Sequence, residues 1–440
     1  MNKSFRDTLV LGFALFAIFF GAGNLIFPPA IGLVSGTNWV TALIGFVLTG
    51  IALPLLGVIA ILNAEGKFEV LTRPISPWFY KFFNTVMMVG IGMCVTIPRM
   101  AATTHELGVK TLFPQVPSFV TILLFFAINF YFAMDRSNVV DKIGKILTPV
   151  LVVILLFIVG KGIFDPIGVP ITTELANPFS NAFINAYQTG DVMTALLCAP
   201  IFIAAIAGYG YTDTRKMRKM AINGTLIAGL GLLIVYGGLL YLGAAGSGMF
   251  PSNIENTALV TGLIQIMLGN FGSIALAVAI VLACLTSAIG VTAVTADFLS
   301  KLTNHKVSYR IWALIICIAG VAVGSLGVDK IINYTMPLFL ALYPVSIVIV
   351  FLGVFRKYIP NAGAYKGSVL LTLIVSVIET LKTIGLPISF LENLIAKLPL
   401  SADGFSWLIP AIVGFVGGAL IHNAMSRKQD NENALNPVRE

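Results

Sequence analysis

Charged side chains make up only 10% of this 440-residue chain, against about a quarter in soluble domains. A water-exposed surface cannot be covered with so few, which makes a soluble enzyme, a disordered scaffold or a fibrous repeat a poor reading. Histidine is nearly absent, and His105, His305 and His422 lie far apart with no ligand spacing. The four cysteines, Cys94, Cys198, Cys284 and Cys317, sit inside apolar stretches. They have no metal-ligand spacing and read as small buried hydrophobes. No P-loop, nucleophile elbow or His/Asp/Glu cluster is present, so the chain is not expected to be an enzyme. A channel would need a filter loop or a charged ring, and neither is visible.

Apolar residues, by contrast, reach 58%, with 42 glycines and 31 phenylalanines, a composition suited to helices that pack closely in lipid. The fold class expected is an all-α polytopic membrane protein. A crossing needs about 20 apolar residues. Twelve candidate transmembrane spans lie near 8–34, 40–63, 80–106, 119–134, 143–163, 190–213, 221–246, 271–299, 307–327, 330–353, 366–386 and 405–425. Segment 250–268 reads as a half-polar helix or loop lying on the membrane. The N-terminus, MNKSFRD before a long apolar span, lacks a small-residue cleavage site and reads as a retained first helix.

The net charge of +8 raises the question of nucleic acid, but the basic residues come in small groups between apolar spans rather than along a basic helix. No nucleic-acid partner is expected. Of the 27 lysines and arginines, 21 fall on one side of the twelve-span arrangement, among them Lys67, Arg136, Lys142, Lys145, Lys216, Lys301, Lys428 and Arg439. Five fall on the other: Lys110, Lys161, Lys330, Lys382 and Lys397. Arg99 lies inside a span. This asymmetry places both termini in the cytoplasm.

Two spans carry interruptions at similar depth. The first has Gly21-Ala22-Gly23-Asn24 followed by Pro28-Pro29; the sixth has Cys198-Ala199-Pro200 and later Gly208 and Gly210. Proline lacks an N–H, so Pro28 releases the Asn24 carbonyl and Pro200 that of Leu196. Free backbone groups at membrane depth need protein or a polar cavity to satisfy them. Broken helices at matching positions of two inverted halves point to a transporter's binding site, with two merely kinked helices as the alternative.

The run Phe19-Phe20-Gly21-Ala22-Gly23-Asn24-Leu25-Ile26-Phe27-Pro28-Pro29 resembles the first helix of the bacterial branched-chain amino acid carriers, the LIVCS family. Pro98-Arg99-Met100-Ala101, Ala283 through Thr292, and Leu342-Tyr343-Pro344 resemble further motifs of that family. The sixth-span run Leu196-Leu197-Cys198-Ala199-Pro200 departs from the Phe-Gly expected there. The resemblance implies sodium-coupled uptake of leucine, isoleucine and valine across the bacterial inner membrane. It also implies a LeuT-type fold of two inverted five-helix repeats, 8–163 and 190–353, with appended helices over 366–425 and a cytoplasmic tail, 426–440. Helices 1 and 6 would be discontinuous.

A zwitterionic substrate needs its carboxylate and ammonium matched without water. The outer half of span one starts near Gly23 to Leu25 and aims free N–H groups at a carboxylate. The inner half ends near Phe20, and the outer half of span six is expected to end near Leu197. Their free carbonyls suit an ammonium or Na⁺. Gly21, Ala22, Gly23, Asn24, Leu196, Leu197, Cys198 and Val291 are the candidate substrate contacts. Asn24 either orients the carboxylate, ligates a cation or caps the helix break. The apolar pocket would draw on Met93, Val95, Leu196, Cys198, Phe202 and Val291, and one methylene is discriminated by only about 1–3 kcal/mol.

Ala283, Thr286 and Ser287 share one face of span eight at i, i+3 and i+4, offering a carbonyl and two hydroxyls for the coupling Na⁺. Hydroxyls back-bonded to their own turn are the alternative. The spacing resembles the sodium site of LeuT-type transporters, which implies that the Ala17 and Phe20 carbonyls complete the shell. Arg99, Thr103 and Glu106 fall on one face of span three, so Arg99 either pairs with Glu106 in an outer gate or snorkels to the interface. A proton-coupled permease of the same fold is the competing class, and no titratable group stands near Thr286 in the sequence.

Overall fold

The computed structural model describes residues 3–134 and 148–435. Arg136, Lys142, Lys145 and Arg439, the Lys428 side chain and the first residues of the fifth expected span fall outside what is described. The described residues are all-helical. Among the described residues, eight helices are long and apolar enough to cross a membrane, and Ser118–Ala133, Pro149–Phe164 and Tyr309–Gly324 are apolar but shorter.

The chain opens with α1 (Lys3–Phe19) and α2 (Ala22–Ser35). Next, α3 (Trp39–Val47) passes through a π-helical turn into α4 (Leu53–Asn63). Helix α5 (Pro77–Leu112) contains π-helical stretches at Val86–Thr96 and Thr104–Val109. Helices α6 (Ser118–Ala133) and α7 (Thr148–Phe164) follow. Then come α8 (Pro178–Asn185), α9 (Asp191–Gly208), α10 (Thr214–Ala245) and α11 (Asn256–Leu302). The chain ends with α12 (Tyr309–Gly324), α13 (Val328–Val354), α14 (Ala362–Thr383), α15 (Ser389–Ala396) and α16 (Leu408–Leu435).

Lipid supplies no hydrophobic drive between helices, so small residues that let backbones touch decide which pairs form. Gly32 of α2 lies on the Leu240 carbonyl of α10, and Gly243 of α10 lies on Pro29, where any Cβ would overlap backbone atoms. Gly363 and Gly367 of α14 meet Gly418 and Gly414 of α16 in the same way. Beside the first of these pairs, Phe20 stacks on Phe16 (ring centroids 5.3 Å apart) and on Tyr236 (5.9 Å). Phe46 closes the cluster edge-on to Tyr236. Away from this core, Leu124, Val153, Ile318 and Val416 are exposed, an apolar outer surface fitting lipid contact.

Several sequence expectations change here. Of the segment expected as a half-polar helix or loop apart from the eighth span, 256–268 is helical and continuous with that span as the first part of α11, which kinks at Gly269 (φ 57°). Cys94 is exposed, while Cys198, Cys284 and Cys317 are buried. It sits within the π-helical stretch of α5, where wider turns rotate the side chains away from the faces an α-helix would give. The largest change concerns the sixth span. Helix α9 runs unbroken through Pro200. The interruption lies at Gly190, which adopts φ 74° after a 3₁₀ turn over Ala186–Thr189, a left-handed conformation glycine takes without strain. Proline costs one intrahelical bond, and a helix packed on its neighbours tolerates that loss.

Candidate functional site

Helix α1 stops at Phe19, and α2 restarts at Ala22 behind an extended Gly21 (φ −119°, ψ −168°). Four amides at the start of a helix have no intrahelical acceptor. Here the Asn24 N–H turns back to the Gly21 carbonyl at 3.2 Å, and the Gly21 N–H donates to Asn24 Oδ1 at 3.2 Å. Asn24 therefore caps the break, and its side-chain amide reaches further. Nδ2 donates to Asp191 Oδ2 at 2.7 Å and to the Tyr236 hydroxyl. Asp191 is the first residue of α9 and is 1% exposed. The two interruptions, at Gly21 and Gly190, thus face each other through Asn24 and Asp191.

A small central cavity lies between them, lined by Gly21, Gly23, Asn24, Arg99, Asp191 and Val291, with Ile18, Thr96 and Thr194 completing the wall. Its free volume is about 10 Å³, roughly one water. Gly23 is closely packed, since a Cβ there would sit 3.1 Å from Arg99 Nη2 and 3.2 Å from the Phe27 ring. Next to this cavity, Met88, Ile91, Leu197, Cys198, Val291 and Val294 form an equally small apolar recess. Leu196, Leu197 and Cys198 also line a wide cavity of about 540 Å³ whose rim carries Lys67 and Lys301, and Ile18 borders both this cavity and the central one. A second wide cavity of about 870 Å³ carries Lys110 and Lys330. The two sets of lysines that the span arrangement assigns to opposite sides thus line different cavities.

Two separate contacts form among the five residues expected to hold a cation. Ser287 Oγ lies 2.9 Å from the Ala17 carbonyl and 3.1 Å from that of Phe20. Thr286 Oγ1 lies 3.1 Å from the Ala283 carbonyl. All five are buried. The free end of α1 supplies its last carbonyls to the face of α11 that carries the hydroxyls. These residues carry oxygen groups only, carbonyls and hydroxyls, with no carboxylate among them. Thr286 also bonds its own turn, as the alternative reading held.

Other expected contacts fall elsewhere. Leu196 and Leu197 do not end a half-helix, because α9 is continuous there. Phe202 is buried against Gly224 of α10, and Val95 is buried in the core. Met93 is only partly buried, packed at the edge of that core. Ala22 opens α2. Arg99 and Glu106 do not form the expected gate. Arg99 is 2% exposed, donates through Nη2 to the Gln188 carbonyl at 2.7 Å, and has its guanidinium 5.5 Å from the Phe27 ring centre. Glu106 instead accepts the Val328 N–H at 2.9 Å and so caps the start of α13. The Thr104–Val109 π-helical stretch between them breaks the i, i+7 register on which the pairing relied.

Asp191 and Tyr236 were not singled out from the sequence, and Tyr343 entered only within the Leu342-Tyr343-Pro344 motif. The Tyr343 hydroxyl accepts the Val192 N–H at 3.4 Å, at the start of α9. The signal was a charged residue after Thr189-Gly190 at the edge of an apolar run, which reads as a span boundary.

Comparison with known proteins places this geometry. A family model described as branched-chain amino acid transport protein matches residues 4–425. The chain is 34% identical over 425 residues to the branched-chain amino acid permease BraB of Bacillus subtilis, covering 94% of this chain and 95% of that one. It is 32% identical over 416 residues to the branched-chain amino acid transport system 2 carrier protein of Pseudomonas aeruginosa, covering 93% and 94%. Among solved structures it is similar to MhsT in complex with L-phenylalanine (TM-score 0.56, 18% identity, covering 85% of this chain and 97% of that one). It is also similar to Mhp1, a nucleobase-cation-symport-1 family transporter (TM-score 0.58, 13% identity, covering 97% and 95%). At such identities these two structures speak for the fold.

Proposed function

The chain belongs to the branched-chain amino acid transport protein family, and from that premise we propose that it imports leucine, isoleucine and valine by sodium symport with alternating access. It is a multi-pass membrane protein with a LeuT-like fold. The finer reading is twelve crossings in the bacterial plasma membrane with both termini cytoplasmic. In that arrangement α1–α2 and α8–α9 are the discontinuous first and sixth crossings, and α14 and α16 are the appended pair.

The observation that carries the sodium reading is Ser287 Oγ within 3.1 Å of both the Ala17 and Phe20 carbonyls. Residues 267 or more positions apart meet there with oxygen atoms alone. The substrate is held beside this cluster, its carboxylate near the free amides of α2. Its side chain lies toward the recess formed by Leu197, Cys198 and Val291, a mostly apolar lining that discriminates one methylene by only about 1–3 kcal/mol. The contracted centre and the wide cavity bordered by Ile18 support a state that opens toward the lysine-rich side when Ile18 moves aside. Asp191 supports a second reading, proton coupling, because a buried carboxylate at the crossing point of two broken helices is a natural proton carrier.

Radiolabelled leucine uptake into proteoliposomes separates the two. Uptake driven by an inward Na⁺ gradient and inhibited by isoleucine and valine supports symport. Uptake unchanged in choline and following a pH gradient replaces it with the proton reading.

A further inference from the structure

We infer that Arg99 and Asp191 form a charge clamp for the two ends of the amino acid, Arg99 with the free amides of α2 taking the carboxylate and Asp191 taking the ammonium. The inference rests on the transport reading above and deepens it. The first observation is an imbalance of partners. Arg99 spends Nη2 on the Gln188 carbonyl, while Nε and Nη1 are buried without any hydrogen-bond partner among the described residues. A buried guanidinium leaves donors unpaired only at considerable cost, and these belong to a side chain that lines the central cavity. Nη2 keeps a second N–H, and with either Nε or Nη1 it makes the parallel pair of donors that a carboxylate accepts.

The second observation is where the charges sit. Arg99 Nη2 lies beside Gly23, in the first turn of α2, so a cation and the positive end of a helix converge on one spot. Asp191 opens α9 and answers the positive end of that helix with its own charge. One of its oxygens accepts from Asn24 Nδ2, and Asp191 lines the same cavity as Gly23 and Arg99. The same cavity therefore has a positive pole at α2 and Arg99 and a negative pole at Asp191, strengthened by the free carbonyls where α1 ends. That polarity matches a zwitterion. Removing either charge should affect only the substrate group that faces it.

The test uses the full-length protein purified in detergent, with thermal stabilisation read for three ligands. These are leucine, 4-methylpentanoate (leucine without the ammonium) and 3-methylbutylamine (leucine without the carboxylate). In the unmodified protein both analogues should bind at least about 100-fold more weakly than leucine. Asp191→Asn should shrink the leucine to 4-methylpentanoate ratio below about 10-fold and leave the 3-methylbutylamine ratio in place. Arg99→Gln should do the reverse. Should either variant fail to fold, Asp191→Glu and Arg99→Lys carry the same test, each shifting only its own ratio. Ratios that stay fixed, or that move together in every variant, overturn the clamp and leave the two residues as each other's counterions. Absence of leucine stabilisation in the unmodified protein overturns the transport reading instead, and the clamp with it.

Discussion

Replacing Ser287 with alanine removes one oxygen from the cluster that joins α1 to α11. Its hydroxyl stands 2.9 Å and 3.1 Å from the Ala17 and Phe20 carbonyls, so two effects follow. Without a cation, the two carbonyls lose their common donor, at about 1 kcal/mol for a neutral hydrogen bond. With a cation, a charged interaction worth about 1.5–3 kcal/mol is lost, a rise of roughly 10- to 100-fold in the Na⁺ concentration for half-maximal uptake. Thr286→Ala should cost less, because Thr286 Oγ1 must first leave the Ala283 carbonyl at 3.1 Å to serve an ion. Thr286→Ser keeps the oxygen and should cost least. Linkage makes the coupling reciprocal, so leucine affinity at fixed Na⁺ should fall in the same order. The assay is leucine uptake against Na⁺, with choline as the replacement cation. A half-maximal Na⁺ concentration unchanged in Ser287→Ala, in protein that remains monodisperse, refutes the cluster as the coupling site.

Three further outcomes follow from the geometry. Pro200→Ala should leave leucine affinity within about twofold, because α9 is already continuous there and the change only restores a helical N–H; a loss above tenfold would return the break to that position. Gly190→Ala forces an L residue to φ 74°, costing about 1–2 kcal/mol, and should lower both thermal stability and leucine affinity. A cysteine placed at Lys216 should resist an impermeant thiol reagent in intact cells, while one at Lys330 should react, since the two fall on opposite sides of the span arrangement.

The sequence reading went furthest where chemistry is local. Scarce charge and long apolar runs announced a membrane protein, and Gly21-Ala22-Gly23 marked a helix break that the structure puts between Phe19 and Ala22. The i, i+3, i+4 spacing of Ala283, Thr286 and Ser287 survived because α11 is regular there. Reasoning from periodicity failed where the helix is not α-helical. Across the π-helical stretches of α5 the face carrying Arg99 is not the face carrying Glu106, and Cys94 turns outward. Pro200 was a stronger local signal than Gly190, yet a proline's single lost bond is absorbed by a packed helix, whereas a left-handed glycine redirects the chain. Asp191 was illegible for the same reason. Its partner Asn24 is 167 positions away along the chain, and Tyr236, the other acceptor of the Asn24 amide, is 212 positions from Asn24; only the folded arrangement brings them together.

The most direct test of the account counts both species in one experiment, radiolabelled leucine and ²²Na⁺ entering the same proteoliposomes of purified protein. Sodium symport requires ²²Na⁺ uptake that rises when leucine is added, and it requires Ser287→Ala to reduce both fluxes together at low Na⁺. Leucine accumulation with no accompanying ²²Na⁺, coupled instead to acidification of the vesicle interior, would contradict it.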